Sequence, residues 1–470
     1  MGVIDLEPNQ ELKFQVGEDP VKLELRAGVA EVYGTEMFTN KTYTFPRQSR
    51  AAVFTYQGAK IEMTGTPVKS HVGKKSDHMI CYLKVHGELE KMREEAEAIS
   101  EHMNFNTKPN ESDLVDNNDN QEPSAAKNAS PDLSRTPICL ICKPDDPRNV
   151  DKSTLCRILL NYAARRGRAP IFVDLDPDQG HIGIPGTIGA LSIESPIDIE
   201  TGLQLRSSLL MHFGHTSPSA DSENKSRLVY KGLVENMAKI VHSKLEKDKK
   251  SFSSGVIINS CSWTDDADYQ FLVHICKTFK VNMVLVMDDE MLQDDLKKDL
   301  SECQPPVTVH SVPKTGGIIT RAIETSVELR WARIKEYFYG TPTESYNPMT
   351  SEVKFAFLKR LIYRIGQPIM LPDSLMPLGT KARDQNVKVS HYECTASDLL
   401  HHILAISYCR VDDLDQDPEA ALRANIMGFI CVTSVKSDGD IVCILTPQKL
   451  PSPMNHVLLY SDVQYMDSLL

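Results

Sequence analysis

Between Pro137 and Leu191 the order of local signals leaves few folds open. An apolar run, Ile138-Cys139-Leu140-Ile141-Cys142, reads as a buried strand. A polar loop follows from Lys143 to Asp151, and then Lys152-Ser153-Thr154. The spacing predicts a helix over 155–166, ended by Gly167, and a second strand over 169–174 that leads into Leu175-Asp176. Strand, loop, Lys-Ser, helix, strand is the order of a phosphate-binding P-loop unit. Only the Lys-Ser part of G-x-x-x-x-G-K-[ST] is intact, because Asp146 and Asp151 stand where the two glycines belong. The frame of a nucleotide site is present, and its cradle is altered.

The 470 residues imply two or three domains, and 25% charged with 41% hydrophobic residues is the balance of a soluble globular protein. A net charge of −12 argues against holding nucleic acid by overall charge and leaves room for a local basic groove. Eleven scattered cysteines, an odd number, argue for a reducing compartment rather than a disulfide framework. No apolar run approaches the ~18 residues of a membrane span. Met1-Gly2-Val3-Ile4-Asp5-Leu6-Glu7 lacks the features of a secretory signal, and Gly2 lacks the downstream Ser or Thr of a myristoylation signal.

Taken in order, the chain changes period three times. Residues 1 to about 87 alternate as strands (12–16, 21–25, 51–56) with frequent turn residues, which predicts a small sandwich of six to eight strands. Leu89, Met92, Ala96, Ile99 and Met103 then fall at helical spacing, closing an N-terminal unit over 1–103. Residues 104–135 are rich in Asn, Asp, Ser, Pro and Glu and predict a flexible linker. Over 136–340, strands (138–142, 171–174, 255–259, 281–287, 307–312) alternate with helices (155–166, 228–245, 268–278, 322–338). That pattern predicts an α/β unit with a parallel sheet, and 213–226 reads as loop. Residues 341–470 alternate again (355–365, 387–391, 428–434, 441–445, 457–460) and predict a β-barrel-like domain with one or two helices.

In a working P-loop, backbone N–H groups and the helix start face the phosphates, and glycines let those oxygens approach. Asp176 falls at the carboxyl end of a strand beside the loop, where open α/β sheets bind ligands. A carboxylate there accepts a proton from an attacking hydroxyl or orients a metal. The Gly-rich stretch Gln179 to Leu191 suits close approach to a ligand or is a long turn. Cys139-x-x-Cys142 lies on a buried strand without a second pair, so small buried hydrophobes are the expectation. His401-His402 reads as a helix surface, and Lys244, Lys247, Lys249 and Lys250 as a solvated helix end.

Several of these segments together resemble the polyribonucleotide 5′-hydroxyl-kinase family, which includes the kinase-like subunit of eukaryotic pre-mRNA cleavage factor II. They are Leu159-Leu160-Asn161-Tyr162-Ala163, Asp174-Leu175-Asp176, Gln179-Gly180, Ile184-Pro185-Gly186-Thr187 and Ile258-Asn259-Ser260-Cys261-Ser262-Trp263. Ala30 to Glu36, Glu336 to Gly340 and Gly428 to Ser434 fit as well. The resemblance implies a β-sandwich, a central P-loop kinase domain and a small β-rich C-terminal domain. It implies ATP and Mg²⁺, with Lys152, Ser153 and Thr154 on phosphates, Ser153 on the metal and Asp176 activating an RNA hydroxyl. Asn149, Val150 and Asp151 would complete the nucleotide loop, and Glu11 and Arg50 would reach it from the N-terminal domain. Gln179, Thr187 and Trp263 would hold the RNA end, and Arg330 and Arg333 would serve as lid arginines.

The departures bear on activity. Besides the two aspartates, Arg148-Asn149 replace the usual Thr-Asp, and Ser326 and Val327 stand where further lid arginines are expected. Lid arginines neutralise charge on the transferred phosphoryl, so both losses weaken the same step. The leading expectation is therefore a nuclear scaffold of the pre-mRNA cleavage and polyadenylation machinery. It would bind a cleavage factor II partner and other 3′-end factors, perform no membrane role, and use ATP weakly or not at all. The alternatives are an active RNA 5′-hydroxyl kinase that also joins tRNA splicing, and a paralogue with neither role.

Overall fold

A computed structural model describes residues 2–47, 49–101, 132–143, 151–205, 207–219, 225–261, 266–314, 323–341, 344–366, 388–436, 439–449 and 454–466. The linker expectation lies mostly outside these residues, as do Asp146, Arg148, Asn149, Val150 and Trp263.

The N-terminal unit is a sandwich of nine strands in a four-stranded and a five-stranded sheet, more than the six to eight expected. Alternation builds it: in Val21–Gly28, Val21, Leu23 and Leu25 point inward and the residues between them outward. The helix that follows is longer than its apolar spacing predicts, spanning Asp77–Glu101. Its first half is hidden from a hydrophobicity reading because two of its buried residues are His78 and His86.

The central sheet runs in the order Leu209–His212, Thr187–Ser192, Ile171–Asp174, Val256–Asn259, Ile138–Cys142, Met283–Met287, Thr308–Val312. The last five are parallel and match the five expected strands. The first two are antiparallel additions. Thr187–Ser192 is buried sheet rather than the end of a Gly-rich turn, since Gly189 is a strand residue opposite Asp174. Cys139 and Cys142 are fully buried, and burial pushes the Cys139 thiol up to about 12, consistent with their reading as small hydrophobes. Lys244, Lys247, Lys249 and Lys250 are exposed at helix ends, as expected. No helix among the described residues is long and apolar enough to cross a membrane.

The C-terminal domain is one seven-stranded sheet, and among the described residues no pairing joins its edge strands Met349–Lys354 and Lys388–His391 into a barrel. The segment expected as one strand over 355–365 divides into a helix, Phe355–Lys359, and a strand, Ile362–Gly366. His401-His402 is not on a helix. His401 has φ 65° and His402 opens the strand His402–Arg410, whose inner residues Ile403 to Ile406 are buried.

Candidate functional site

Parallel strands bring their carboxyl ends to one edge, and the sequence puts its polar residues there. Asp174 and Ile141 both lie level with Asn259, so the turns after three strands converge. The helix Asp151–Arg165 starts a turn earlier than expected, which puts Lys152 and Ser153 in its first turn. Gly167, at φ 81°, ends it.

Lys152 is buried, and its Nζ donates to the Ser260 carbonyl at 2.7 Å and lies 3.4 Å from Asp176 Oδ2. The structure thus brings together the two residues expected to act on phosphate and hydroxyl. Asp174, one strand position earlier on the inward face, anchors the turn. Its Oδ1 accepts from Asn259 Nδ2 at 2.8 Å, and its Oδ2 from the His181 backbone at 3.1 Å and faces His181 Nδ1 at 3.2 Å. Burial raises the Asp174 carboxyl, but the His181 charge and these hydrogen bonds outweigh it and leave it below the ordinary range. His181 is the converse: burial opposes its proton, and Asp174 more than restores it.

The stretch after Asp176 is a tight loop. Gly180 has φ 61°, and a Cβ there would lie 2.3 Å from the Ile184 carbonyl carbon. The helix Ile323–Tyr339 lies against this loop. Arg333 donates to the carbonyls of Gly180 (3.2 Å), His181 (3.0 Å) and Gly183 (3.3 Å) and pairs with Glu336 at 2.7 Å. Arg330 pairs with Asp178 at 3.4 Å. Burial raises the Asp178 carboxyl, and Arg330 offsets part of that. Both lid arginines are therefore on the loop they were expected to cover.

A cavity of about 400 Å³ opens between the two helices, lined on its polar side by Ser153, Arg157, Gln179, His181 and Arg333. Thr154 is half-buried on the same helix. Thr187 is buried, its hydroxyl donating to the Ile184 carbonyl at 2.7 Å, and does not line the cavity. Asp151 opens the helix by its backbone, and its side chain lies outside the described residues. Glu11 and Arg50 sit on paired strands, but in that register Arg50 lies opposite Gln15, so the two are four residues apart along the ladder. That is roughly 13 Å, and they do not form one cluster. Glu11 instead lies 3.1 Å from Lys13, and burial raises its carboxyl.

Lys, Ser and Asp at a helix start beside a sheet edge fit a magnesium–nucleotide in kind. The aspartates of the loop sequence do not. Sequence reasoning missed Arg157 and the Asp174–His181 pair. Arg157 stands four residues beyond Ser153, a helical spacing that puts both on one face, and that was the available signal.

Comparison with known proteins covers the whole chain. Residues 146–340 match a family model described as the P-loop of mRNA cleavage and polyadenylation factor CLP1. Residues 5–96 match the N-terminal β-sandwich domain of polyadenylation factor, and 346–467 match pre-mRNA cleavage complex II protein Clp1. Proteins named CLP1 homolog from Drosophila mojavensis and Aedes aegypti are each 38% identical, over 467 and 465 residues, covering 98% of this chain and 97% of theirs. A solved Clp1p–Pcf11p complex has TM-score 0.75 at 18% identity, over 99% of this chain and 98% of that one. A second structure, concerned with the extended Pcf11p–Clp1p interface and ATP loss in a point mutant, has TM-score 0.74 at 19% identity and covers 99% of both chains. At those identities the two structures speak for the fold.

Proposed function

Because the chain belongs to the CLP1 family of mRNA cleavage and polyadenylation factors, we propose that it acts as a scaffold subunit of the nuclear 3′-end cleavage machinery with a P-loop domain that has lost efficient ATP use. The observation that carries this reading is the state of its cations. Lys152 is engaged by the Ser260 carbonyl and Asp176, Arg330 by Asp178, and Arg333 by three carbonyls and Glu336. Phosphate would have to displace each of these contacts. The loop sequence supports the same reading. With Asp146 and Asp151 at ~5 Å from phosphate and an effective dielectric of ~20, each unit pair costs roughly 3 kcal/mol before screening. Asp at a position needing φ > 0 adds about 1 kcal/mol. The partner is a Pcf11-type subunit held on the central and C-terminal domains, a reading supported by the complexes in which the two structural relatives were solved.

The wild-type chain is expected to bind ATP·Mg²⁺ at least ~100-fold more weakly than the Asp146→Gly, Asp151→Gly double variant, which needs only about 2.7 kcal/mol. Equilibrium titration measures this. Micromolar wild-type binding that the double variant does not improve removes the premise. The second reading, an ATP-dependent RNA 5′-hydroxyl kinase, is favoured by the 3.4 Å approach of Lys152 to Asp176. Transfer of labelled γ-phosphate to 5′-hydroxyl RNA would establish it.

A further inference from the structure

Arg157 is a cation without a counter-ion. Its guanidinium lies 5.2 Å from the Tyr33 ring centre and one Nη donates to the Asp198 carbonyl at 2.9 Å. Its Nε is shielded from water without an acceptor, and no carboxylate forms an ion pair with it, among the described residues. A largely desolvated guanidinium in that condition is destabilising until an anion reaches it. It lines the cavity between the loop helix and the lid helix together with Arg333 and His181. Glu336 is the only carboxylate among the described residues of that lining, and it is paired with Arg333. Asp174 holds the inner side of the His181 ring and is itself buried away from the cavity. The rest of the wall includes Leu160, Phe172 and Leu203, a flat apolar surface opposite the cations.

We propose that this cavity binds a nucleoside 5′-monophosphate, either free or as the first residue of a 5′-phosphorylated RNA, with phosphate at Arg157, His181 and Arg333 and the base against Phe172. The inference rests on the scaffold reading, because it makes the chain a reader of phosphorylated ends where a kinase would take a 5′-hydroxyl. About 400 Å³ is within the range of small-ligand sites and accommodates one nucleotide. A guanidinium fork recognises phosphate by two parallel hydrogen bonds, which a terminal hydroxyl cannot return. His181 adds a charge that depends on pH. Facing it are Asp174 from its strand, Asp176 from the next turn and Arg333 from the lid helix; burial and Arg333 oppose its proton, the two carboxylates favour it, and the outcome is a raised pKa. The cation therefore persists at neutral pH and is lost as pH rises.

The test uses the full-length protein and short 3′-labelled RNAs that differ only in a 5′-phosphate or 5′-hydroxyl, with AMP as the free nucleotide, all without ATP. At about pH 7 the phosphorylated end should bind ~10-fold tighter, and the preference should narrow by about pH 9. Arg157→Gln should abolish the preference, Arg157→Lys should restore part of it, and His181→Gln should remove its pH dependence. Circular dichroism reports whether each variant is folded. Tight AMP with equal RNA ends identifies the free nucleotide as the source; preference between the ends identifies RNA. No binding of AMP and equal affinity for both ends, or a preference that survives in folded Arg157→Gln, overturns the proposal. Phosphate transfer in a separate assay with ATP would overturn the scaffold reading and leave the end preference readable on its own.

Discussion

The seams on the two sides of the central domain are built from different chemistry. On the N-terminal side the contacts are polar and all reach the loop helix. Buried Glu31 accepts from the Tyr162 hydroxyl and pairs with Arg165 at 2.8 Å; Tyr56 and Tyr162 hydroxyls meet at 2.8 Å; Asn161 donates to the Tyr33 carbonyl at 2.8 Å. On the C-terminal side the root of the lid helix is held by rings. Tyr337 meets Phe429 edge-on at 5.3 Å and Phe338 stacks on Tyr465 at 6.1 Å, with the Phe429 N–H donating to the Tyr337 hydroxyl at 2.9 Å. One seam fixes the helix that starts at the phosphate site by charge and hydrogen bonds, and the other fixes the lid by apolar packing. Neither contact set includes a nucleotide, so the frame of the site stands without one.

The largest expected effect follows from the apolar seam. Phe429→Ala should cost about 3–5 kcal/mol, because it removes a ring from a packed cluster and leaves a cavity. Glu31→Ala should cost somewhat less, about 2–4 kcal/mol, by leaving Arg165 and two tyrosine hydroxyls without their acceptor. Thermal unfolding at low and high salt separates the two. The Glu31 variant should lose salt sensitivity relative to wild type and the Phe429 variant should keep it. Equal salt responses would erase the distinction between the seams.

Acid should act on both seams, more on the N-terminal one. Burial lowers His78 and His86 beside that seam to about 4, with Lys13 and Arg93 respectively adding to the effect. Burial likewise lowers His212 at the C-terminal seam to about 4, against the pull of the Tyr460 carbonyl. These folded pKa values lie below the ordinary ~6.5, so the unfolded chain takes up protons first. Stability is full above pH ~6.5 and is lost as pH falls toward 4, by roughly 1–3 kcal/mol per histidine. Glu11 and Glu31 oppose this in part: burial raises both carboxyls, and a raised acid favours the folded state as pH falls. Melting curves between pH 7 and 4 should therefore drop, and His86→Phe should flatten the drop. An unchanged slope in that variant would remove His86 from the account.

How much of this is legible in the sequence differs by element. The five parallel strands are apolar runs bounded by turns, and their assignment needs no tertiary information. Thr187–Ser192 is different, since its glycines and the loop before it mask a strand whose identity comes from pairing with Ile171–Asp174. His402 begins a strand for the same reason, because its neighbours on both sides supply the ladder. At the site, Lys152, Ser153 and Asp176 are legible because motif and strand end fix them. Arg157 and His181 are not, since the cavity that gives them meaning is closed by Leu329 and Arg333, more than a hundred residues away. Glu11 and Arg50 show the limit of transferring roles by resemblance: each position has the expected charge, and the strand register holds them apart.

The smallest expected effect concerns the partner. Lys152 is 7% exposed, at the foot of the loop helix, and its printed contacts are the Ser260 carbonyl and Asp176. The loop helix is gripped from the N-terminal seam by Glu31, Tyr33 and Tyr56, and the lid from the C-terminal seam, so neither outer surface depends on the Lys152 ammonium. Lys152→Ala leaves Asp176 short of a cation, a local cost of about 1–3 kcal/mol that a domain of this size withstands. If the proposed partner docks on the outer faces of the central and C-terminal domains, its affinity should change by less than ~2-fold, or about 0.4 kcal/mol. Calorimetric titration of the partner segment into wild type and variant measures it. A folded Lys152→Ala chain that releases the partner would mean that a ligand at the loop helix supports the docking surface, and the two seams would then be insufficient to hold the frame alone.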